Sequence, residues 1–281
     1  YFEKTRVVNG LFEFLKDTFS LEFSEVECTD SWDEKVTKYL VTRNGNPHSY
    51  VYMDLEARAN KRGGAWMNHS ETGHTLDGEV ILPVAYIVCN FTPSTKNLKS
   101  LLSHGEVLTL FHEMGHVLQH ICSEDLDYTS SGIGGVEWDA VEWSSQFLEL
   151  FTYEDTVLKQ LGQHIMTDEV IPTDLIQKIN DMKNYRQGNA MIRQIEFGMF
   201  DMRIHSSNIT TKEFVQTTLD TIREELKTNH IEVDKFQCGF SHIFSGGYSA
   251  GYYSYKWAEV LSVDAYLTFK ERNDGEKYYN D

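Results

Sequence analysis

The segment TLFHEMGHVLQH, residues 109–120, constrains this chain more than any other stretch. Positions four apart share a face of an α-helix, so His112 and His116 point the same way if the segment is helical. Glu113 then lies about a hundred degrees round the axis, beside that face but off it. Local signals favour the helix. Ser103 and Glu106 have capping-box spacing, and Val107, Leu108, Phe111, Met114, Leu118 and Ile121 form an apolar stripe over residues 104–122. One reading is a buried helix whose histidines are satisfied by neighbours. Gly115 argues for more, because glycine there costs about 1 kcal/mol relative to alanine. A glycine beside both histidines implies a close approach by some other group.

The chemistry of H-E-x-x-H needs these residue types at this spacing. Zinc takes neutral imidazole nitrogens readily, and two of them leave room for a third protein ligand and a water. The metal brings the pKa of that water towards roughly 7. A carboxylate near the metal but not on it can accept the water's proton and pass it to a leaving amine. One Zn2+ per chain is the expected cofactor. His116 and His120 are also four apart, but Val117 stands where the carboxylate would be, so His120 is read as structural or as an outer partner. The third ligand is sought in VEWDAVEWSSQFLEL, 136–150. Glu142 and Glu149 are seven apart and share a helix face, with Asp139 three before Glu142. Asp139-x-x-Glu142 also matches a capping box. Spacing therefore leaves Glu137, Glu142 and Glu149 open.

Around this segment the pattern is mixed and then helical. Helical periodicity predicts helices over 3–19, 138–152, 173–185, 187–206, 211–228 and 252–271, besides 104–122. Strand-like runs at 36–43 and 49–55 flank the turn signal Asn44-Gly45, and 79–91 reads as a further strand, buried or at an edge because of Pro83. Residues 58–67, RANKRGGAWM, read as a loop with a glycine pair. The expected fold class is mainly α with a small β-sheet (α+β), in one domain over 1–281: a mixed segment at 1–100 and a helical region at 101–281. A net charge of −18 counts against nucleic acid or an anionic membrane as partner. The apolar run ILPVAYIVC, 81–89, is broken by Pro83 and too short to span a bilayer. Cys28, Cys89, Cys122 and Cys238 are scattered, with no CxxC pair, which speaks for a reducing compartment. No signal-peptide h-region opens the chain, and the expected location is cytoplasmic.

A second candidate segment is SHIFSGGYSAGYYSYKW, 241–257. His242, Tyr248, Tyr252, Tyr253 and Tyr255 surround Gly246, Gly247 and Gly251. Such tyrosines can be core aromatics. Beside a glycine backbone that other groups approach closely, they can also donate hydrogen bonds to a ligand or to an oxyanion.

Long ordered blocks of the chain resemble the M3 family of zinc oligopeptidases, the thimet oligopeptidase family. They are ANKRGGAWM (59–67), PVAYIVCNF (83–91), LFHEMGH (110–116), SGIGGVEWDAVEWSSQF (131–147), RQIEFGMFDMRIH (193–205) and FSHIFSGGYSAGYYSYKWAEVLSVDAY (240–266). The resemblance implies a zincin-type catalytic domain with an HExxH active-site helix. It implies His112, His116 and Glu142 as zinc ligands and Glu113 as general base. It also implies Tyr255 and His242 as oxyanion donors, with Tyr248, Tyr252, Gly246 and Gly247 against the substrate. Helix spacing from Glu142 adds Asp139 as a partner of a ligand histidine. The strand PVAYIVCNF is expected to give a sheet edge for an extended peptide. The partners implied are short peptides, cleaved internally by a monomer. The family's large N-terminal helical part and its C-terminal end are expected to be absent here, and the piece alone to be weakly active or inactive. The alternatives are a dipeptidyl carboxypeptidase of the same family, a catalytically inert peptide-binding fragment, and a structural zinc protein. The last would need a fourth ligand that the sequence does not offer.

Overall fold

The computed structural model describes residues 1–124, 126–209, 211–228 and 233–272. The strand β1 (Phe2–Glu3) leads into α1 (Lys4–Phe19). The Glu3 carboxylate caps this helix, accepting from the N–H groups of Thr5 and Arg6 at 3.2 and 3.1 Å. Then come β2 (Leu21–Val26), β3 (Thr37–Arg43), β4 (Asn46–Glu56), β5 (Trp66–Glu71), β6 (His74–Leu76), β7 (Glu79–Ile81), β8 (Val84–Phe91) and β9 (Leu101–Leu102). Asn44 and Gly45 both have positive φ, 53° and 77°, and close the β3–β4 hairpin.

Five of these strands form a sheet in the order β2-β3-β4-β8-β5, with β4 and β8 parallel and the other pairs antiparallel. This corrects two expectations. The predicted strand at 79–91 is split at Leu82 and Pro83, between β7 and β8, because Pro83 has no N–H to donate to a ladder. Its main part, β8, lies inside the sheet with a partner on each side, so PVAYIVCNF is not an edge. The edges are β2 and β5, and β5, the edge beside β8, starts within the segment read as a loop; its Trp66 and Met67 pair with Val88 and Ile87.

Alternate residues of the sheet face the core: Val51, Met53 and Leu55 on β4, and Ala85, Ile87, Cys89 and Phe91 on β8. Against them lie α1 and the helix α2 (His104–Ile121). Helix α2 begins with the capping box of Ser103 and Glu106, as its sequence predicts. The rings of Phe14, Phe111 and Phe151 tie these layers together.

The rest is helical: α3 (Trp143–Leu150), α4 (Asp155–Leu161), α5 (Thr173–Lys183), α6 (Gln187–His205), α7 (Lys212–Leu226), the short α8 (Phe236–Gly239) and α9 (Ser241–Ser245), and α10 (Ser254–Arg272). A second buried cluster joins α6, α7 and the tyrosine segment through Phe200, Leu219, Ile222, Phe240, Ile243 and Tyr252. Helix α4 has no clear signal in the sequence, being seven residues long and packed on α1, where Gly10 admits the Leu161 side chain. The predicted helix over 138–152 is broken. It has 3-10 turns at Trp138–Ala140 and Phe151–Tyr153, with α3 between them. The fold is α+β. No described helix is long and apolar enough to cross a membrane. All four cysteines are free.

Candidate metal centre

The HEMGH segment lies in the second half of α2, where the helix runs through the core. His112 and His116 extend from one face, with their rings 4.9 Å apart and nearly perpendicular. Glu142 stands at the joint between the 3-10 turn and α3, fully buried. Its Oε2 lies 3.3 Å from Nε2 of His112 and 3.4 Å from Nε2 of His116. One ligand atom from each of the three residues lies within 4.8 Å of the others, which makes them a group able to hold a metal ion. Glu142 makes no capping hydrogen bond, so the capping-box reading of Asp139-x-x-Glu142 does not hold.

Gly115 explains how the two helices come so close. A Cβ there would lie 2.4 Å from the carbonyl oxygen of Ser144 and 2.5 Å from Cα of Ser145. The start of α3 rests on the bare backbone of α2, and this contact delivers Glu142 to the histidines. The close approach expected from Gly115 is therefore a neighbouring backbone.

The histidine partner differs from the one expected. Asp139 touches no ligand histidine; its Oδ2 accepts from the Tyr253 hydroxyl at 3.3 Å. Because residues 138–142 are not α-helical, the three-residue spacing does not carry Asp139 onto the face of Glu142. Instead, Oε1 of Glu149 lies 2.5 Å from Nδ1 of His112. With the proton on Nδ1 donated to Glu149, Nε2 presents its lone pair towards Glu142 and His116. Glu149 follows Glu142 by two helical turns, so the sequence placed it on the right face but did not say which ring it would meet. Nδ1 of His116 is buried and has no hydrogen-bond partner among the described residues.

Glu142 is held on both oxygens. Tyr248 donates its hydroxyl to Oε1, and Ser145 donates to Oε2 at 2.9 Å. Burial disfavours its charge, but the hydrogen bonds and charges of His112 and His116 keep its pKa well below the ordinary value. Burial likewise disfavours a charged His112, and Glu142 and Glu149 overcome it, raising that pKa well above the ordinary imidazole value. The two Nε2 atoms and a Glu142 oxygen converge on one point, and this donor set fits a divalent cation there. Glu113 is 5% exposed. Burial pushes its pKa up, while His112, His116 and a hydrogen bond from the Met67 backbone on β5 oppose the rise.

His120 is buried and structural. Its Nε2 donates to the Glu71 carbonyl at 2.8 Å, its ring stacks on His69, and Gly132 packs against it.

The tyrosine segment arrives between α9 and α10. Tyr248 and Tyr255 stack with centroids 5.0 Å apart. His242 lies among Tyr248, Tyr252 and Tyr255, at 6.0, 5.7 and 6.0 Å. Desolvation in this aromatic surrounding lowers the His242 pKa. Desolvation raises both Tyr248 and Tyr255, helped by the Glu142 charge, so both phenols keep their protons. Tyr252 is turned away and buried, with its hydroxyl donated to Oε1 of Gln194 at 3.1 Å. Gly247, with φ of 90°, and Gly251 lie against the Trp138 ring; a Cβ on Gly247 would meet it at 2.9 Å. Gly246 closes on the backbone of His242. Gln146 of α3 donates to the Tyr255 carbonyl at 2.8 Å, a tie to the metal-centre helix that the sequence did not announce.

The sequence profile of Peptidase family M3 matches residues 1–281. Oligopeptidase A of Haemophilus influenzae is 40% identical over 275 residues, covering 96% of this chain and 40% of the relative. Oligopeptidase A of Escherichia coli is 40% identical over 277 residues, with the same coverage. A dipeptidyl carboxypeptidase of Escherichia coli is 30% identical over 279 residues, 97% of this chain and 40% of that protein. The chain spans about two fifths of the length of the curated relatives it matches.

Proposed function

This chain belongs to peptidase family M3, and from that premise we propose that it carries a zinc-dependent endopeptidase site for short peptides. The observation that supports this most is the convergence of His112, His116 and Glu142 beside a buried Glu113 that lies outside the group. When bound, one zinc ion would polarise the scissile carbonyl and acidify a water. The chain's own residues have these parts. Glu149 fixes the His112 tautomer, and Tyr248 and Ser145 orient Glu142. Glu113 takes a proton from water and delivers it to the departing amine. Tyr255 and His242 donate hydrogen bonds to the oxyanion, and Tyr248, Gly246 and Gly247 border the substrate. Tyr252, with its hydroxyl on Gln194, contributes by packing more than by direct contact.

The strand β5 pairs with β8 on one side, and its other side would take an extended peptide, a grip that ignores side-chain identity. Glu113 and β5 meet at Met67, so a peptide added to that edge runs past the general base. The HExxH helix is in this reading a zincin-type active-site helix within a single catalytic domain. The protein acts as a cytoplasmic monomer on short peptides, and nucleic acid and membranes are not its partners. A second reading, release of C-terminal dipeptides, is supported by the name of the 30% identical relative. Products from a ten-residue peptide with a blocked C-terminus separate the two, since only internal cleavage tolerates the block.

The primary test is metal content by elemental mass spectrometry, beside turnover of a short quenched peptide. About one zinc per chain is expected, lost in His112→Ala. A chain that takes up no zinc when it is supplied would end the reading.

A further inference from the structure

The block RQIEFGMFDMRIH places one carboxylate where the proposed chemistry has not used it. Asp201, on α6, is completely buried. Its Oδ1 accepts from the backbone N–H of Ala250 at 2.8 Å, and its Oδ2 from that of Tyr252 at 2.9 Å. Nδ1 of His205, one helical turn on, lies 2.8 Å from Oδ1 and 2.9 Å from the Asp201 carbonyl oxygen. A carboxylate is seldom buried unless its charge is met by donors. Here two of the donors are main-chain groups of the tyrosine segment, some fifty residues away in the chain.

We propose that Asp201 is a positioning residue that fixes the tyrosine loop over the His112–His116–Glu142 group. The loop needs such a hold. Ala250 has φ of 54°, a left-handed conformation that a non-glycine residue keeps only where its surroundings over-determine it. Two neighbouring N–H groups on one carboxylate supply that constraint, and charge-assisted bonds of this kind are about twice as strong as neutral ones. On its other side the loop rests on Trp138 through Gly247 and Gly251. Asp201 thus determines where Tyr248 stands relative to Glu142. It also sets Tyr255, whose N–H donates to the Tyr252 carbonyl at 3.4 Å. The effect on catalysis rests on the peptidase reading; the effect on loop geometry does not.

The test uses Asp201→Asn, which keeps one acceptor oxygen, and Asp201→Ala, which keeps none. Residue-resolved amide hydrogen exchange is measured first. Ala250 is exposed, so the Asp201 bond is what protects its amide. Exchange at Ala250 and Tyr252 should accelerate by about tenfold or more in Asp201→Asn and further in Asp201→Ala, while Leu219 and Ile222 on α7 keep their protection. Zinc content should stay that of the wild type. With a short quenched peptide, kcat should fall by about 10²-fold, as expected for displaced transition-state donors, with KM changed less than about threefold. A purely structural role would lower the melting temperature without that split. Unchanged exchange at Ala250 and Tyr252 overturns the proposal, as does unchanged kcat in variants of an active wild type. If the zinc-loaded wild type does not turn peptide over, that bears on the peptidase reading and not on the hold, and hydrogen exchange alone decides the positioning role. If neither variant folds, the wild type decides: unprotected Ala250 and Tyr252 amides refute the hold.

Discussion

The carboxylates around the HEMGH segment stand in different surroundings, and the differences are testable residue by residue. Glu113 is buried beside the metal group but is no part of it. Glu113→Gln is expected to lower turnover by about 10²- to 10⁴-fold while zinc content stays at the wild-type level. Surviving turnover would remove Glu113 as the base. Glu149 bonds the outer nitrogen of His112, so Glu149→Ala should weaken zinc binding by about 10- to 100-fold, the usual effect of losing such a partner. Asp139 contacts Tyr253 and neither histidine, and Asp139→Asn should leave zinc affinity as it is. A chelator competition titration on both variants reads the contrast directly. Equal losses in the two would mean that the His112–Glu149 contact does not orient the ring.

Among elements, the contact of α2 with the start of α3 decides the centre. Gly115→Ala would drive a methyl group into the Ser144–Ser145 backbone. That should cost about 1–3 kcal/mol of stability, the range for overpacking, and should also lower zinc affinity, because the same shift carries Glu142 away. Gly105 is the control in the same helix, where a Cβ meets only Oγ of Ser103, at 3.9 Å. Gly105→Ala should raise stability by about 0.4–1 kcal/mol and leave the metal untouched. Denaturant melts with and without zinc distinguish these outcomes. Helix α3 also shows why spacing alone left Glu142 and Glu149 open. Both lie towards the histidines, one at the nitrogen that faces the group and one at the nitrogen behind.

At the scale of the molecule, buried charge ties the sheet to the first helix. Glu56, at the end of β4, is bonded by Lys4 of α1 at 2.5 Å, by Lys35 at 3.0 Å and by Ser94 at 2.7 Å. Burial opposes its charge, but these bonds prevail and hold its pKa at about 2 against an ordinary 4.5. A depressed carboxylate pKa stabilises the fold fully above the unfolded value and loses that contribution as pH falls to the folded one. Glu56→Gln should therefore cost ~2–3 kcal/mol near neutral pH. The gap from wild type should narrow below pH 4.5 and close near 2. Parallel stability curves across that window would show that Glu56 does not contribute through its charge.

How much was legible follows from the range of each signal. Periodicity, the Ser103–Glu106 capping box and the Asn44-Gly45 turn are local, and they marked α1, α2 and the β3–β4 hairpin because nearest-neighbour sterics and hydrogen bonds decide those features. The four-residue spacing of His112 and His116 fixed their common face for the same reason. The sheet order could not be read locally. The parallel pairing of β4 with β8 encloses β5, β6 and β7, so which strand became the edge depended on long-range packing. Tertiary contact likewise chose the histidine partner, broke the helix at Glu142 and brought Asp201 beneath Ala250 and Tyr252. The sequence by itself determined which residues have the chemistry for a metal. Only the tertiary structure decided which of their atoms meet, because hydrogen bonds and ligation act over about 3 Å between side chains far apart in the chain.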